Sequence, residues 1–307
     1  VFFTDFGVSI YAFSKKGIIF KSQLRRMIIS ELKESFENQI SGIYTNSEIS
    51  ELFSIFCTQI LGINRFELRR SEDHIISDEQ NSVFIKIITE LKAGKPYQQI
   101  LGETEFYGLK FFVDENVLIP RPETEELLEL AITEIQNNNV RDLKILDIGT
   151  GSGIIPIVLK KKFPEAKVSA IDFSEKALKT AKKNADFHEA DINFIHQNYL
   201  EEYLSEVYDI IISNPPYIGI DEENEIADSV KEFEPKMALF SPTSNALIFY
   251  EKIAEDCNNH LIENGMVFLE INQKLGEETK ALFSDVLSEI HLIKDISGND
   301  RFVFGRK

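Results

Sequence analysis

The chain has 307 residues, with 33 basic and 51 acidic side chains and a formal net charge of −18. At about 150 residues per domain the length points to two domains, and 43 % hydrophobic residues with ordinary glycine and proline exclude a disordered or fibrous chain. A negative field of this size opposes any grip on long nucleic acid, which needs a basic footprint to release counterions; small molecules and basic proteins suit it better. No apolar run reaches the roughly 18 residues of a spanning helix, so no membrane partner is expected and the cytoplasm is the expected compartment. Cys57 and Cys257 lie 200 residues apart and read as buried thiols of a reducing compartment.

Residues 1–26 carry Lys15, Lys16, Lys21, Arg25 and Arg26 against Asp5, a charge of +4 that leaves −22 for the rest. The basic residues follow the apolar stretch instead of preceding it, which is the wrong order for a signal peptide. The first methionine is Met27, so 1–26 reads as an upstream extension or a mis-called start.

From Met27 to Leu101 the pattern is helical. Leu32, Phe36 and Ile40 recur at helical spacing, as do Ile49, Leu52, Phe53, Phe56 and Ile60, with Ser47 as a candidate cap of the second helix. Two more helices are expected over Phe66 to Arg70 and Asp78 to Lys92, after which AGKPYQQILG breaks the pattern. This helical domain, 27–101, contains no ligand constellation and reads as a recognition module. Residues 102–120 form a connecting β-hairpin, expected to turn at Asp114-Glu115-Asn116. A helix with acids in its first turn follows and ends at Asn137 to Asn139.

From Leu143 short apolar strands alternate with helices. KILDIG, KVSAID, INFIHQ, YDIIISN and GMVFLEI are the strands, an alternation that implies a parallel sheet with helices on both faces. EIHLIKD and RFVFGRK add two more. The link between them is too short for a parallel crossover, so the last strand is expected antiparallel to its neighbour.

Three motifs carry chemistry. ILDIGTGSG, residues 145–153, runs a strand into a glycine turn where a ligand can approach the backbone; its G-x-G-x-G spacing suits a nucleoside cofactor without a pyrophosphate. Asp172 ends the next strand, where an acid can accept from both ribose hydroxyls. Asn214-Pro215-Pro216-Tyr217 leaves the C-terminal edge of a buried strand. There the Asn214 side chain and the Pro215 carbonyl can aim two acceptors at one planar NH2 group, with Tyr217 as an aromatic face beneath it.

DIGTGSG, Asp172 and NPPY together resemble the S-adenosylmethionine-dependent amino-methyltransferases. FYGLKFFVDENVLIPRPETEELLE, FEPKMAL and DISGNDRF extend the likeness over about residues 27–307 to the protein-(glutamine-N5) methyltransferases of peptide chain release factors. One segment departs from that family: SPTSNAL stands where a glycine-rich G-x-D-G-L is common. The resemblance implies a class I α/β methyltransferase fold over 121–307, with a mostly parallel sheet of seven strands, the last antiparallel. It implies S-adenosyl-L-methionine as cofactor, S-adenosyl-L-homocysteine as product, and the glutamine of a Gly-Gly-Gln loop in a release factor as substrate. No metal is implied, and a monomer is expected.

Carried over by position, Gly149, Thr150, Gly151, Ser152 and Gly153 would line the methionine and ribose portion, Asp172 would hold the ribose, and Tyr199 would lie beside the adenine. Asn214 would touch cofactor and substrate, and Pro215, Pro216 and Tyr217 the glutamine. Phe106, Arg121, Glu123 and Thr124 fall in segments that flank the methionine end in the family. Two alternatives are a ribosomal-protein glutamine methyltransferase, from which IPRPETE separates this chain, and a DNA amino-methyltransferase. The latter must flip a base and hold a duplex, which the charge balance opposes.

Overall fold

The computed structural model describes residues 27–138, 142–219, 222 and 228–307. The proposed extension 1–26 and Asn139 lie outside the described residues. The chain divides into two compact units, one ending at Ile88 and the next beginning at Thr89. That boundary falls inside a helix, upstream of the 101/102 position suggested by the loss of helical pattern.

The first unit contains α1 (Ile29–Ile40), α2 (Asn46–Leu61), α3 (Arg65–Leu68) and most of α4 (Asp78–Lys92). Its core is aromatic: Phe36 lies 5.3 Å from Phe53 and 6.4 Å from Phe56, and Phe53 6.2 Å from Phe84, between ring centroids. Cys57 is free and buried, and burial pushes its thiol up to about 12. The cap of α2 is Thr45, not Ser47. Thr45 accepts from the Glu48 N–H while Glu48 reaches back to the Thr45 N–H, a capping box that satisfies both orphan donors.

The second unit opens with α5 (Tyr97–Leu101), β1 (Glu103–Phe106) and β2 (Leu109–Phe112). α5 occupies the segment read as a break, started by the rigid Pro96 and stopped by Gly102 at φ 72°. The hairpin turns at Tyr107-Gly108, with φ of 53° and 67°, and not at Asp114 to Asn116. A two-residue hairpin loop with both φ positive matches strand twist, and tyrosine is an unusual occupant. Its backbone N–H donates to Glu125 at 2.6 Å and its hydroxyl to Glu129, so α6 (Pro122–Asn137) holds the turn in place. Asp114 instead accepts from the Asn116 N–H at 2.8 Å, a local turn outside the ladder.

A seven-stranded sheet follows in the order β5-β4-β3-β6-β7-β9-β8. Its strands are β3 (Lys144–Ile148), β4 (Lys167–Asp172), β5 (Ile192–His196), β6 (Tyr208–Ser213), β7 (Leu261–Glu270), β8 (Glu289–Lys294) and β9 (Asp300–Arg306). β3 to β7 run parallel; β9 enters between β7 and β8, antiparallel to both. Side chains alternate between faces along each strand. Ile145, Ile210, Ile212, Met266 and Phe268 pack against α6 and α7 (Ile154–Lys162). Leu146, Ile211, Val267 and Leu269 pack on the other face against Tyr250, Ile253 and Cys257 of α11 (Ile248–His260). α8 (Glu175–His188), α9 (Asp228–Phe233), α10 (Lys236–Leu239) and α12 (Gly276–Ala281) complete the described helices. This is the class I methyltransferase architecture. No helix among the described residues is long and apolar enough to cross a membrane.

Candidate active site

Sheet register assembles the site. Ile148 pairs with Ile171 on one side and Ser213 on the other, and Ser213 pairs with Leu269. The next residue of each strand therefore emerges at one level of the C-terminal edge: Gly149, Asp172, Asn214 and Glu270. β3 lies where the strand order reverses, and open α/β sheets bind ligands at that point.

The glycine turn is strapped to β4. The N–H groups of Gly149 and Thr150 both donate to the Ile171 carbonyl, at 2.9 and 3.0 Å, and the Gly151 N–H donates to Asp172 Oδ2 at 2.8 Å. Gly149 and Gly151 have φ of 78° and 55° and line a cavity of about 680 Å³. Thr150, Ser152 and Gly153 do not line it. Gly153, at φ 82°, starts α7; a Cβ there would come within 3.0 Å of Ala181 Cβ, so this glycine permits α7 to approach α8.

Asp172 lies on the cavity wall. Burial raises its carboxyl above the usual range, against the N–H bonds from Ser174 and Gly151, which favour the anion. Each carboxylate oxygen accepts one backbone N–H, the Ser174 bond being 2.8 Å. The lone pairs left over can take two hydroxyls. Ser174 caps α8 itself, accepting from the Ala177 N–H at 3.2 Å, so Asp172 is not needed for that purpose. Replacing Asp172 by alanine is expected to weaken cofactor binding by about 1–3 kcal/mol, roughly 5- to 150-fold. Calorimetric titration with a thermal melt as control checks this; an unchanged affinity would confine Asp172 to holding the glycine turn.

Tyr199 also lines the cavity, its hydroxyl donating to Asp256 Oδ2 at 2.6 Å, so the ring is held in place. Ile148, Ile171, Leu118 and Phe173 supply apolar wall, and Gln197 and Asn214 polar points. Beneath the glycine turn both carboxylate oxygens of Asp147 are buried with no hydrogen-bond partner among the described residues. Burial pushes that carboxyl up to about 7, and the charge on Asp172 adds to the effect. The volume, the two-oxygen acceptor on Asp172 and the aromatic Tyr199 on the wall fit an adenosine-bearing cofactor.

Asn214 and Pro216 line the cavity, whereas Pro215 and Tyr217 are not among its lining residues. The Asn214 Nδ2 donates to the Thr124 hydroxyl at 3.1 Å, and that hydroxyl donates to Glu270 Oε2 at 2.7 Å. The Tyr217 hydroxyl donates to Glu270 Oε1 at 3.2 Å, and burial raises its pKa.

The four residues placed near the methionine end by resemblance, Phe106, Arg121, Glu123 and Thr124, lie off the cavity wall. Phe106 is buried in the core beside Phe111, with centroids 6.2 Å apart. The guanidinium of Arg121 pairs with Glu234 at 2.6 Å, because that carboxylate is buried and needs a counter-charge. Thr124 is buried between Asn214 and Glu270.

Two residues that the sequence reading did not single out matter here. Glu270 ends an apolar strand at the same sheet edge as NPPY, a signal that was visible in GMVFLEI. Asn184 is fully buried and joins β2 to the glycine turn, donating to the Phe112 and Ser152 carbonyls and accepting from the Phe112 N–H. Nothing in its exposed-looking helical context announced it.

Comparison with known proteins gives a consistent picture. Residues 127–232 match the family model of the methyltransferase small domain, and residues 31–102 that of the PrmC N-terminal domain. A release factor glutamine methyltransferase of Flavobacterium psychrophilum is 45 % identical over 280 residues, covering 90 % of this chain and 98 % of that one. Its counterpart in Bacteroides thetaiotaomicron is 38 % identical, covering 86 % and 95 %. A solved release-factor-specific protein-(glutamine-N5) methyltransferase from Alicyclobacillus acidocaldarius is 24 % identical, with a TM-score of 0.39 over 62 % of this chain and 94 % of that one. With relatives this similar over nearly the whole length, the chain belongs to the release factor glutamine methyltransferase family.

Proposed function

We propose that this protein methylates the side-chain amide nitrogen of a glutamine in a peptide chain release factor. The observation that carries the reading is Asn214, set at one sheet level with Gly149 and Asp172 and with its Nδ2 already committed to Thr124. That leaves Oδ1 as an acceptor for a substrate N–H.

An amide nitrogen is a poor nucleophile because its lone pair is delocalised into the carbonyl. S-adenosyl-L-methionine, when bound, supplies a methyl group activated by sulfonium and leaves as S-adenosyl-L-homocysteine. Asn214 Oδ1 and the Pro215 carbonyl accept the two N–H bonds of the glutamine and return electron density to its nitrogen. These bonds strengthen as positive charge develops there, so they favour the transition state over the ground state. Asp172, Tyr199 and the glycine turn fix the donor while the two prolines fix the acceptor, and alignment of this kind is worth up to roughly 7–11 kcal/mol. No side chain has to remove a proton beforehand, since a nitrogen with four substituents is acidic and releases its proton afterwards.

The helical segment, residues 27–101, recognises the protein substrate. The compartment is the cytoplasm, in keeping with Cys57 and Cys257 as free buried thiols. Transfer of labelled methyl tests the function with three acceptors: a release factor, the same factor with its Gly-Gly-Gln glutamine replaced, and unmethylated DNA. Label on the intact factor alone is expected. Label on the replaced factor or on DNA would retain the nitrogen chemistry and overturn the substrate.

A further inference from the structure

Glu270 follows Leu269, the partner of Ser213, so Glu270 and Asn214 leave the sheet edge side by side. Thr124, on the first turn of α6, stands between them with its hydroxyl 2.7 Å from Glu270 Oε2 and 3.1 Å from Asn214 Nδ2. A hydroxyl has one proton to give. An ionised Glu270 can only accept, so the Thr124 proton goes to it and the hydroxyl can only accept from Asn214. The amide must then turn Nδ2 toward Thr124, and Oδ1 is the atom left for the substrate. Nitrogen and oxygen of an amide are told apart by such a network, and here the carboxylate decides it.

We propose that Glu270 is a positioning residue for methyl transfer, setting the orientation of the Asn214 amide through Thr124 and anchoring the far end of the NPPY turn through Tyr217. The inference rests on the reading of Asn214 as the acceptor for the substrate amide. A protonated Glu270 reverses the chain. It donates to Thr124, whose proton turns toward Asn214 and draws Oδ1 inward. Asn214 then presents an NH2 group to the NH2 group of the glutamine, donor against donor.

The surroundings place this switch in the neutral range. Burial lifts the Glu270 carboxyl to about 7, against the bonds from Thr124 and Tyr217 and the charge of Arg301; Glu123 adds to the rise. The Tyr250 hydroxyl also faces it, donating to the Glu270 backbone carbonyl at 3.0 Å. The active form is the anion, so turnover should rise with pH through this range and be lost below it.

The test is kcat, KM and cofactor affinity of the full chain across the neutral range, for the parent, Glu270→Gln, Thr124→Val, Thr124→Ser and Asn214→Ala. Glu270→Gln is expected to lower kcat about tenfold at alkaline pH and to abolish the acid limb. Thr124→Val should lower kcat by a similar factor, and Thr124→Ser, which keeps the hydroxyl, should stay within about threefold of the parent. Cofactor affinity within about twofold in the Glu270 and Thr124 variants shows a folded site; for Asn214→Ala, at a position that lines the cavity, a thermal melt makes that check. An acid limb that persists in Glu270→Gln overturns the proposal, as does a loss seen only in cofactor affinity. Should Asn214→Ala lose turnover while Glu270→Gln and Thr124→Val behave as the parent, the role of Glu270 fails and that of Asn214 stands. Full turnover by Asn214→Ala would remove the acceptor reading itself.

Discussion

Replacing Asn214 by alanine is expected to lower methyl-transfer turnover by about 10²- to 10³-fold, the range seen when one preorganised polar group is removed from a charge-developing centre. The side chain is half-buried at the end of β6, and truncation removes one internal hydrogen bond, to Thr124. Loss of that bond costs about 1 kcal/mol of stability, too little to unfold a domain of this size. Turnover and folding should therefore separate. Asn214→Asp is informative beside it, because a carboxylate keeps acceptor oxygens but has no proton for Thr124. The Thr124 hydroxyl would then face two carboxylates with a single proton, and the turn would be disordered in charge if not in shape. Single-turnover kinetics with a thermal melt of each variant make the comparison; near-parental turnover in Asn214→Ala would sink the two-acceptor mechanism.

Arg121→Ala is expected to act on stability and not on the cofactor. Glu234 is 1 % exposed in its side chain and has two supports, the Arg121 guanidinium at 2.6 Å and the Ile119 N–H at 2.9 Å. Removing one partner of a buried pair leaves an uncompensated charge, usually at a cost of several kcal/mol. The Arg121 side chain is 33 % exposed, so water can partly replace it, and about 2–3 kcal/mol is the expected loss. That corresponds to a melting temperature lower by roughly 4–12 °C. Because Arg121 does not line the cavity, cofactor affinity should remain within about twofold where the variant is folded. Adding Glu234→Gln to Arg121→Ala should recover part of the loss, since a neutral amide is easier to bury than a bare carboxylate. A drop in cofactor affinity of tenfold or more with little change in melting would return Arg121 to the cofactor site.

The parallel strands were legible because a strand buried on both faces reads as a continuous apolar run, as in KILDIG and YDIIIS. The glycine turn and NPPY were legible because backbone chemistry restricts which residues can fill such turns. The hairpin turn was misplaced for the opposite reason. Tyr107 is a poor choice for positive φ, and only Glu125 and Glu129 on α6, far along the chain, make the turn hold there. The cap of α2 was in the sequence all along as Thr45 and Glu48, and the nearer Ser47 hid it.

By itself, then, the sequence determined the helical first unit, the alternating α/β second unit, the antiparallel closing strand and the two turns at the C-terminal sheet edge. All of these depend on local periodicity or on short motifs with a mechanical reason. Tertiary structure decided which partners Glu270, Arg121, Thr124 and Asn184 meet, because each is held by a group on another element. Glu234 lies 113 residues from Arg121 and Glu270 146 from Thr124. A buried charge or amide is silent in a one-dimensional pattern; its role appears only when folding removes water and the strand register supplies the group that must replace it.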